Sequence, residues 1–530
     1  MGFSFSGLFG RPNKGSYQPE NISNPHGNSL EDERVLLLQN DSKTQRFYDG
    51  STPRLAEKDL FWTSESIKEI KAIMVFAWPL LATYLLGIGM RVVDVWFIGR
   101  LGPQLMAAVS LGNLFCTVGG LAMGSGMLTA IDTLVAQAFT GANHPHTLGI
   151  ILQRALCILA LFTIPVAVIW INAEHILVYM GQDPELARLA QSYIIVCLPN
   201  IFPIFVSTCL RKFLQGLGQM RATMYVIALL FPLNLISNYI FLEYLQLGLY
   251  GAAYHIVWFH LSVMVLYILS LWFRTSFRDY WPGWSKQAFS TWNTFLKLGI
   301  PGMLSVSTEW AFEVCAIITG VLGQTSLAAQ SIVLSINSLL LMIPSALTSA
   351  MIVRLGHHLG ADRPDKTRLC VMVSVCMGSS IVTLNALMMY LFRYKIAHHF
   401  TKDPMVIEAV VDLMGVASLS HFAAGNSTIL SGTLNAFGKQ HIVASFNLIS
   451  YYAIGLPFGL CMTFYYDWGL IGVWSSVVMA GALKSFGEAC VIMFLVDWKM
   501  ECQIAGRRIS SQETMAFLPA VAENSNDIVG

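Results

Sequence analysis

Twelve apolar stretches dominate the chain, each long enough to carry an α-helix across about 30 Å of hydrocarbon, which takes roughly 20 residues. They fall at about 72–98, 105–138, 148–171, 189–213, 222–243, 249–273, 292–320, 327–356, 369–392, 406–434, 441–464 and 470–495. The second, eighth and tenth are broken by Gly, Ser, Thr and Asn, yet they are too apolar to be loops. Small residues there allow helices to approach closely. The pattern predicts an all-α polytopic membrane protein with twelve transmembrane helices.

The stretches repeat. FAWPLLATYLLG aligns with KLGIPGMLSVST and sets Pro79 over Pro301, while LGPQLMAAVS aligns with LGQTSLAAQS and sets Gly102 over Gly323. GANHP at 141–145 returns as GADRP at 360–364, Gly218 falls on Gly438, and GLYG at 248–251 on GLIG at 469–472. Ordered matches at a nearly constant offset indicate a duplication. The expected organisation is a six-helix bundle over 71–273, a linker over 274–291 and a second bundle over 292–496. Halves with an even number of spans share one orientation, so they enclose a cleft at their interface, the usual place for a transported molecule.

Composition supports this picture: 55% of residues are apolar and 12% charged, against about 25% charged in soluble domains. A net charge of +1 gives no reason to expect a nucleic-acid partner. Residues 1–70 read as a disordered polar tail rather than a signal peptide, and 497–530 as a second polar tail. Arg211, Lys212, Arg221, Arg274, Arg278, Lys286, Arg363, Lys366, Arg368 and Lys439 cluster on one side of the predicted topology. That bias places both termini in the cytosol. Cysteines such as Cys157, Cys197 and Cys370 lack metal-site spacing and read as packing residues. His357-His358, His398-His399, His144 and His146 read as interfacial residues rather than ligands.

Acids inside apolar runs carry the candidate chemistry, because charge in lipid is costly. Glu309 and Glu313 stand one turn apart and can share a helix face. Desolvation and mutual repulsion make them a coupled pair at which a proton and an organic cation compete. Trp310 and Phe312 are candidate aromatic contacts for the cation. Asp94 either pairs with Arg91, three residues earlier, or takes part in transport. Asp132 is expected to hold helix ends or a gate, with Gln137 in the same polar cluster. Glu488 is expected to pair with Lys484. Asn113, Asn337, His421 and Asn426 are further candidates for lining a cavity. Pro79 and Pro301 either bend the first and seventh helices to let the bundles rock or sit statically near the first turn.

The segments VDVWFIGRLGPQLMAAVS, LTAIDTLVAQAFTGA, STEWAFEVCAIITGVLG and ILSGTLNAFGKQ, in this order, resemble the multidrug and toxic compound extrusion (MATE) family in its eukaryotic branch. The resemblance covers about 70–497. It implies twelve helices in two bundles arranged as a V, without an enzyme activity or a bound cofactor. It also implies export of organic cations, drugs or metabolites in exchange for protons, with sodium as the alternative coupling ion. The family's seventh-helix acid falls on Glu309 and its second acid on Glu313; Asp94 matches a first-helix aspartate used for cation coupling in prokaryotic members. EWAFE is one residue shorter than the usual family spacing, so either acid can be the dominant site. The chain is expected to act as a monomer in the plasma or vacuolar membrane. Competing readings are a vacuolar transporter of a neutral or anionic metabolite and a flippase for lipid-linked substrates.

Overall fold

The computed structural model describes residues 64–274, 277–308 and 323–526, and all of its regular structure is helical. Eleven of the described helices are long and apolar enough to cross a membrane. In chain order, six belong to the first half: α1 (Ser64–Gly99), α2 (Pro103–Gly141), α3 (His146–Ile171), α4 (Pro184–Gly216), α5 (Met220–Tyr244) and α6 (Gly248–Phe273). The predicted seventh span begins as α7 (Trp292–Thr308). Its continuation lies outside the described residues. Then come α8 (Gln324–Gly360), α9 (Pro364–Phe400), α10 (Pro404–Ala436), α11 (Gln440–Tyr465) and α12 (Gly469–Leu495). The stretch after the last span, read as a tail, contains a further helix, α13 (Trp498–Asn526).

Hydropathy accounts for the helices; lipid offers no partner for backbone N–H and C=O groups, so every span must bond internally. Large side chains on the outside face hydrocarbon: Leu161, Ile164, Val168 and Ile171 are exposed at helical spacing along α3. The duplication is visible in the backbone. At the end of α4, Gln219 N–H bonds Leu214 O, and at the end of α10, Lys439 N–H bonds Leu434 O, both at 2.9 Å. Gly218 and Gly438 sit between them at φ 78° and 80°. A side chain is strained in this left-handed conformation, which explains glycine at both places. The last turns of α5 (Tyr239–Tyr244) and α11 (Cys461–Tyr465) both widen to π geometry.

Each half also borrows from the other. Ile73, Ala77 and Leu80 of α1 share a core with Ala346, Leu347 and Ala350 of α8, whereas Phe295 and Leu298 of α7 join the core of the first half. Ile73 and Phe295 occupy equivalent positions in the repeat. α1 begins eight residues before the predicted span, and this extension carries Glu69. Pro79 and Pro301 lie inside α1 and α7, beyond their first turns.

The halves meet where the basic loops are, an end called here the basic end. A Cβ on Gly141 would lie 2.6 Å from Gly360 O, and one on Gly356 would lie 2.5 Å from Ala136 Cβ. Only glycine lets α2 and α8 approach this closely. Thr133 Oγ1 donates to Asn435 O (2.6 Å), Gln137 Nε2 to Ala436 O (2.8 Å) and Thr140 Oγ1 to His357 O (2.7 Å). His357 Nε2 bonds Gly216 O in return, at 2.8 Å. His357 and His358 are therefore buried, not interfacial as their positions at a span end suggested.

Inside the second half, a Cβ on Gly432 of α10 would stand 2.3 Å from Thr348 Cγ2 of α8. Gly432→Leu is expected to destabilise the bundle by about 1–3 kcal/mol through overpacking. A lower thermal midpoint of the purified protein, followed by intrinsic fluorescence, checks this; an unchanged midpoint contradicts the packing described.

Candidate transport site

Asp94 stands near the end of α1 away from the basic end. Spacing suggested a local pair with Arg91, but the structure replaces that pair with donors from two other helices. Asn234 and Asn238 of α5 donate Nδ2–H to Asp94 Oδ1 at 2.9 and 2.7 Å, and His255 Nε2 of α6 meets the same oxygen at 3.2 Å. Arg91 is exposed on its own helix, whereas Asn234, Asn238 and His255 are buried beside the carboxylate. The other ring nitrogen of His255, Nδ1, lies 2.8 Å from Ser237 Oγ, and that hydroxyl also donates to Asn234 O at 3.0 Å. All three contacts fall on one oxygen. Asp94 Oδ2 stays open among the described residues, on a side chain 26% exposed. The buried amide oxygens of Asn234 and Asn238 also have no partner among the described residues.

The other candidates divide between pairs within each half. Tyr193 Oη donates to Asn113 Oδ1 at 2.7 Å, fixing α2 to α4. In the second half, His421 Nδ1 lies 2.9 Å from Asn337 Oδ1, both buried, and His421 Nε2 has no partner among the described residues. Ser379 Oγ donates to Asn426 Oδ1 at 2.6 Å beside a cavity of about 390 Å³ between α9, α10 and α12. Glu488 is fully buried and accepts from Ser431 Oγ at 2.7 Å and Ser427 Oγ at 3.4 Å. These hydroxyls come from α10, so Glu488 ties α12 to the centre of its bundle.

Asp132 and Gln137, expected in one cluster, serve different partners. Asp132 pairs with Lys212, which lies within α4 and not in the loop that follows it. Gln137 bridges the halves: it donates to Ala436 O and accepts from Arg508 Nη1 at 2.7 Å. Sequence reading also passed over Glu69, because it precedes the predicted first span. Arg354 grips both of its oxygens, Nε to Oε1 at 3.0 Å and Nη2 to Oε2 at 3.1 Å, and His358 Nε2 approaches Oε1 at 3.3 Å. Cys370 completes a close group with Glu69 and His358. The guanidinium fork already neutralises the carboxylate, and a bound metal would have to displace it, so this cluster reads as an ion-paired tie between α1 and α8. Glu309, Trp310, Phe312 and Glu313 lie outside the described residues.

Two duplicated helical bundles, sealed together at one end and holding a caged carboxylate in the membrane, define a polytopic membrane transporter. The MatE family model matches the chain over residues 79–240 and again over 301–461. The chain belongs to the MATE (multidrug and toxin extrusion) family and is a transporter, not an enzyme. The two matches begin at Pro79 and Pro301, the residues aligned by the repeat. Multidrug and toxin extrusion protein 1 of Xenopus tropicalis is 32% identical over 454 residues, 86% of this chain and 79% of the relative. Protein DETOXIFICATION 16 of Arabidopsis thaliana is 32% identical over 468 residues, 87% of this chain and 96% of the relative. The crystal structure of the eukaryotic MATE transporter AtDTX14 superposes with a TM-score of 0.78 at 22% identity, covering 84% of this chain and 99% of that one. That likeness supports the two-lobed all-α membrane fold.

The Asp132–Lys212 pair makes a quantitative test of the site's framework. Asp132→Asn leaves a part-buried ammonium without its carboxylate and should lower stability by about 3 kcal/mol, the lower end for breaking a buried pair. Adding Lys212→Met should restore much of the loss. A double-mutant cycle of thermal midpoints reads the coupling; strict additivity would contradict the pair.

Proposed function

We propose that this chain is a secondary-active antiporter that exports organic cations, drugs or amphiphilic metabolites in exchange for protons, by alternating access. The observation that carries the reading is the Asp94 cage: Oδ1 holds three donors while Oδ2 remains open to an incoming ion. Asp94 lies toward the end opposite the seam, so an ion arriving from that side reaches it without the halves parting. Glu309 and Glu313 of the second half form the other titratable element. Protonation neutralises the pair and releases a cation, and the ionised pair accepts one, so the two ligands exclude each other. Trp310 and Phe312 supply apolar area for the organic part of the substrate.

The cycle follows from the closed seam. With the basic end sealed, the cleft loads protons and discharges substrate at the far end; parting the seam then exposes it to the basic side, which the positive-inside bias assigns to the cytosol. A sodium-coupled variant is favoured by one feature, the two unpartnered amide oxygens of Asn234 and Asn238 beside Asp94.

Sealed liposomes test both readings. An outward-directed proton gradient should drive uptake of a quaternary ammonium probe, and an equal sodium gradient should not. Asp94→Asn and the double variant Glu309→Gln/Glu313→Gln should each reduce exchange by at least about tenfold, the loss of one ionic interaction in the transport step. Wild-type exchange in the double Gln variant would overturn the carboxylate mechanism, and sodium-driven uptake would move the coupling to the second reading.

A further inference from the structure

The helix after the last span does not hang free. Its first turns hold the second half: Glu501 Oε1 meets Lys439 Nζ at 2.6 Å, and the Trp498 ring packs on Phe437 with centroids 6.1 Å apart. Its later turns hold the first half. Glu513 accepts from Asn143 Nδ2 at 2.9 Å, His144 N–H at 3.0 Å and Thr147 Oγ1 at 3.3 Å. These donors surround the start of α3, where the helix dipole also favours a carboxylate. Arg508 lies between. Nη1 donates to Gln137 Oε1 of the first half at 2.7 Å, and Nη2 to Phe437 O of the second at 3.3 Å. Ile509 is buried against the meeting point of Gly141 and Gly360. Burial pushes the Arg508 guanidinium below its usual pKa, and the Glu501 carboxylate pulls it back up.

From Glu501 to Glu513 the helix spans about 18 Å at 1.5 Å per residue, and in that distance it crosses the seam. The ends of α2, α4, α8 and α10 are therefore closed in two layers, the direct seam and a strap beneath it. Opening the basic end separates Gln137 from Phe437, and no position of one guanidinium satisfies both once they part.

We propose that α13 is a clasp across the seam, and that Arg508 and Glu513 are positioning residues whose release from the first half sets how often the basic end opens. This rests on the alternating-access reading of the two halves. The clasp stays with the second half through Glu501 and Lys439, and α3 and Gln137 are left behind. Arg508 and Glu513 touch no part of the Asp94 cage, so they act on the balance between states and not on ion binding.

The test is a distance distribution between spin labels at Arg221 and His441, equivalent exposed positions at the starts of α5 and α11, with the exposed Cys376 and Cys461 replaced by Ser. The protein is full length, in detergent and again in liposomes. Arg508→Gln and Glu513→Gln should each raise the ratio of long to short distances by about tenfold, the effect of one charge-assisted hydrogen bond. Arg508→Lys should fall between these and the unmodified protein. Thermal midpoints and elution profiles show whether each variant is folded, and Glu513→Gln is an independent probe at the other end of the clasp. The readout needs no substrate or gradient: a shift without proton-driven exchange supports the clasp and rejects the antiport reading. An unchanged distribution in folded Arg508→Gln/Glu513→Gln overturns the clasp, as does a rise in Arg508→Lys equal to that in Arg508→Gln.

Discussion

A helix that ends leaves the carbonyls of its last turn without partners inside the helix. In this transporter such carbonyls are where the two halves join, including Asn435 O and His357 O, which take a seam donor in addition to the capping N–H groups of Gly438 and Ala361. Asn435 O, Ala436 O and Phe437 O at the end of α10 receive Thr133, Gln137 and Arg508; His357 O on α8 receives Thr140; Gly216 O on α4 receives His357. Helices in lipid gain little from burying apolar area against each other, because hydrocarbon is already apolar. Polar groups that must be satisfied near a helix end therefore specify the joint more sharply than the apolar surface around it. Glycines complete the arrangement, since the donors reach those oxygens only if α2 and α8 approach within the distance that Gly141, Gly356 and Gly360 permit.

The same constraint explains the division of labour along α2. Thr133, Gln137 and Thr140 recur at i, i+4 and i+7, one face of a helix, and all three cross to the second half. Asp132 is rotated by about 100° from Thr133 and pairs inside its own half with Lys212. α1 and α7 are shared differently: each buries apolar residues in the opposite core, so the halves are interlocked through Ile73 and Phe295. Glu69 and Arg354 fix the start of α1 within that exchanged arrangement.

Eleven of the spans, and the repeat, were legible in the sequence because both are local: hydropathy over twenty residues, and landmarks at constant offset. The landmarks proved structural, with Gly218 and Gly438 in the same left-handed turn. Partners were not legible. Asp94 had Arg91 at a favourable spacing, yet its donors come from residues 140 to 161 positions away, and nothing in a single sequence announces such pairing. His357 looked interfacial because it ends a span; its burial follows from a second half that the span-by-span reading cannot place. α13 was missed for another reason. Its mean hydropathy is low, but Cys502, Ala505, Ile509 and Gln512 are buried at spacings of three and four, the signature of a narrow helix face. Searching polar termini for that spacing would have found it.

The strengths of these contacts imply which of them move. Seam bonds from Thr133, Gln137 and Thr140 join neutral side chains to backbone carbonyls, each worth about 1 kcal/mol net. A joint made of such bonds can open and reclose within thermal reach. The ionic contacts lie elsewhere: Asp132 with Lys212 inside the first half, Glu69 with Arg354 inside the exchanged core, Lys439 with Glu501 between the second half and α13. Breaking any of these during each cycle would strand a charge in a poorly solvated place. The arrangement therefore keeps charges paired within units that travel together and leaves neutral bonds at the surface that parts. Arg508 and Glu513 depart from that rule, as the charged groups of α13 that reach the first half. They lie on the helix after the last membrane-crossing stretch, outside the apolar spans, and there water can replace their partners as the seam opens, so a charge is released at tolerable cost.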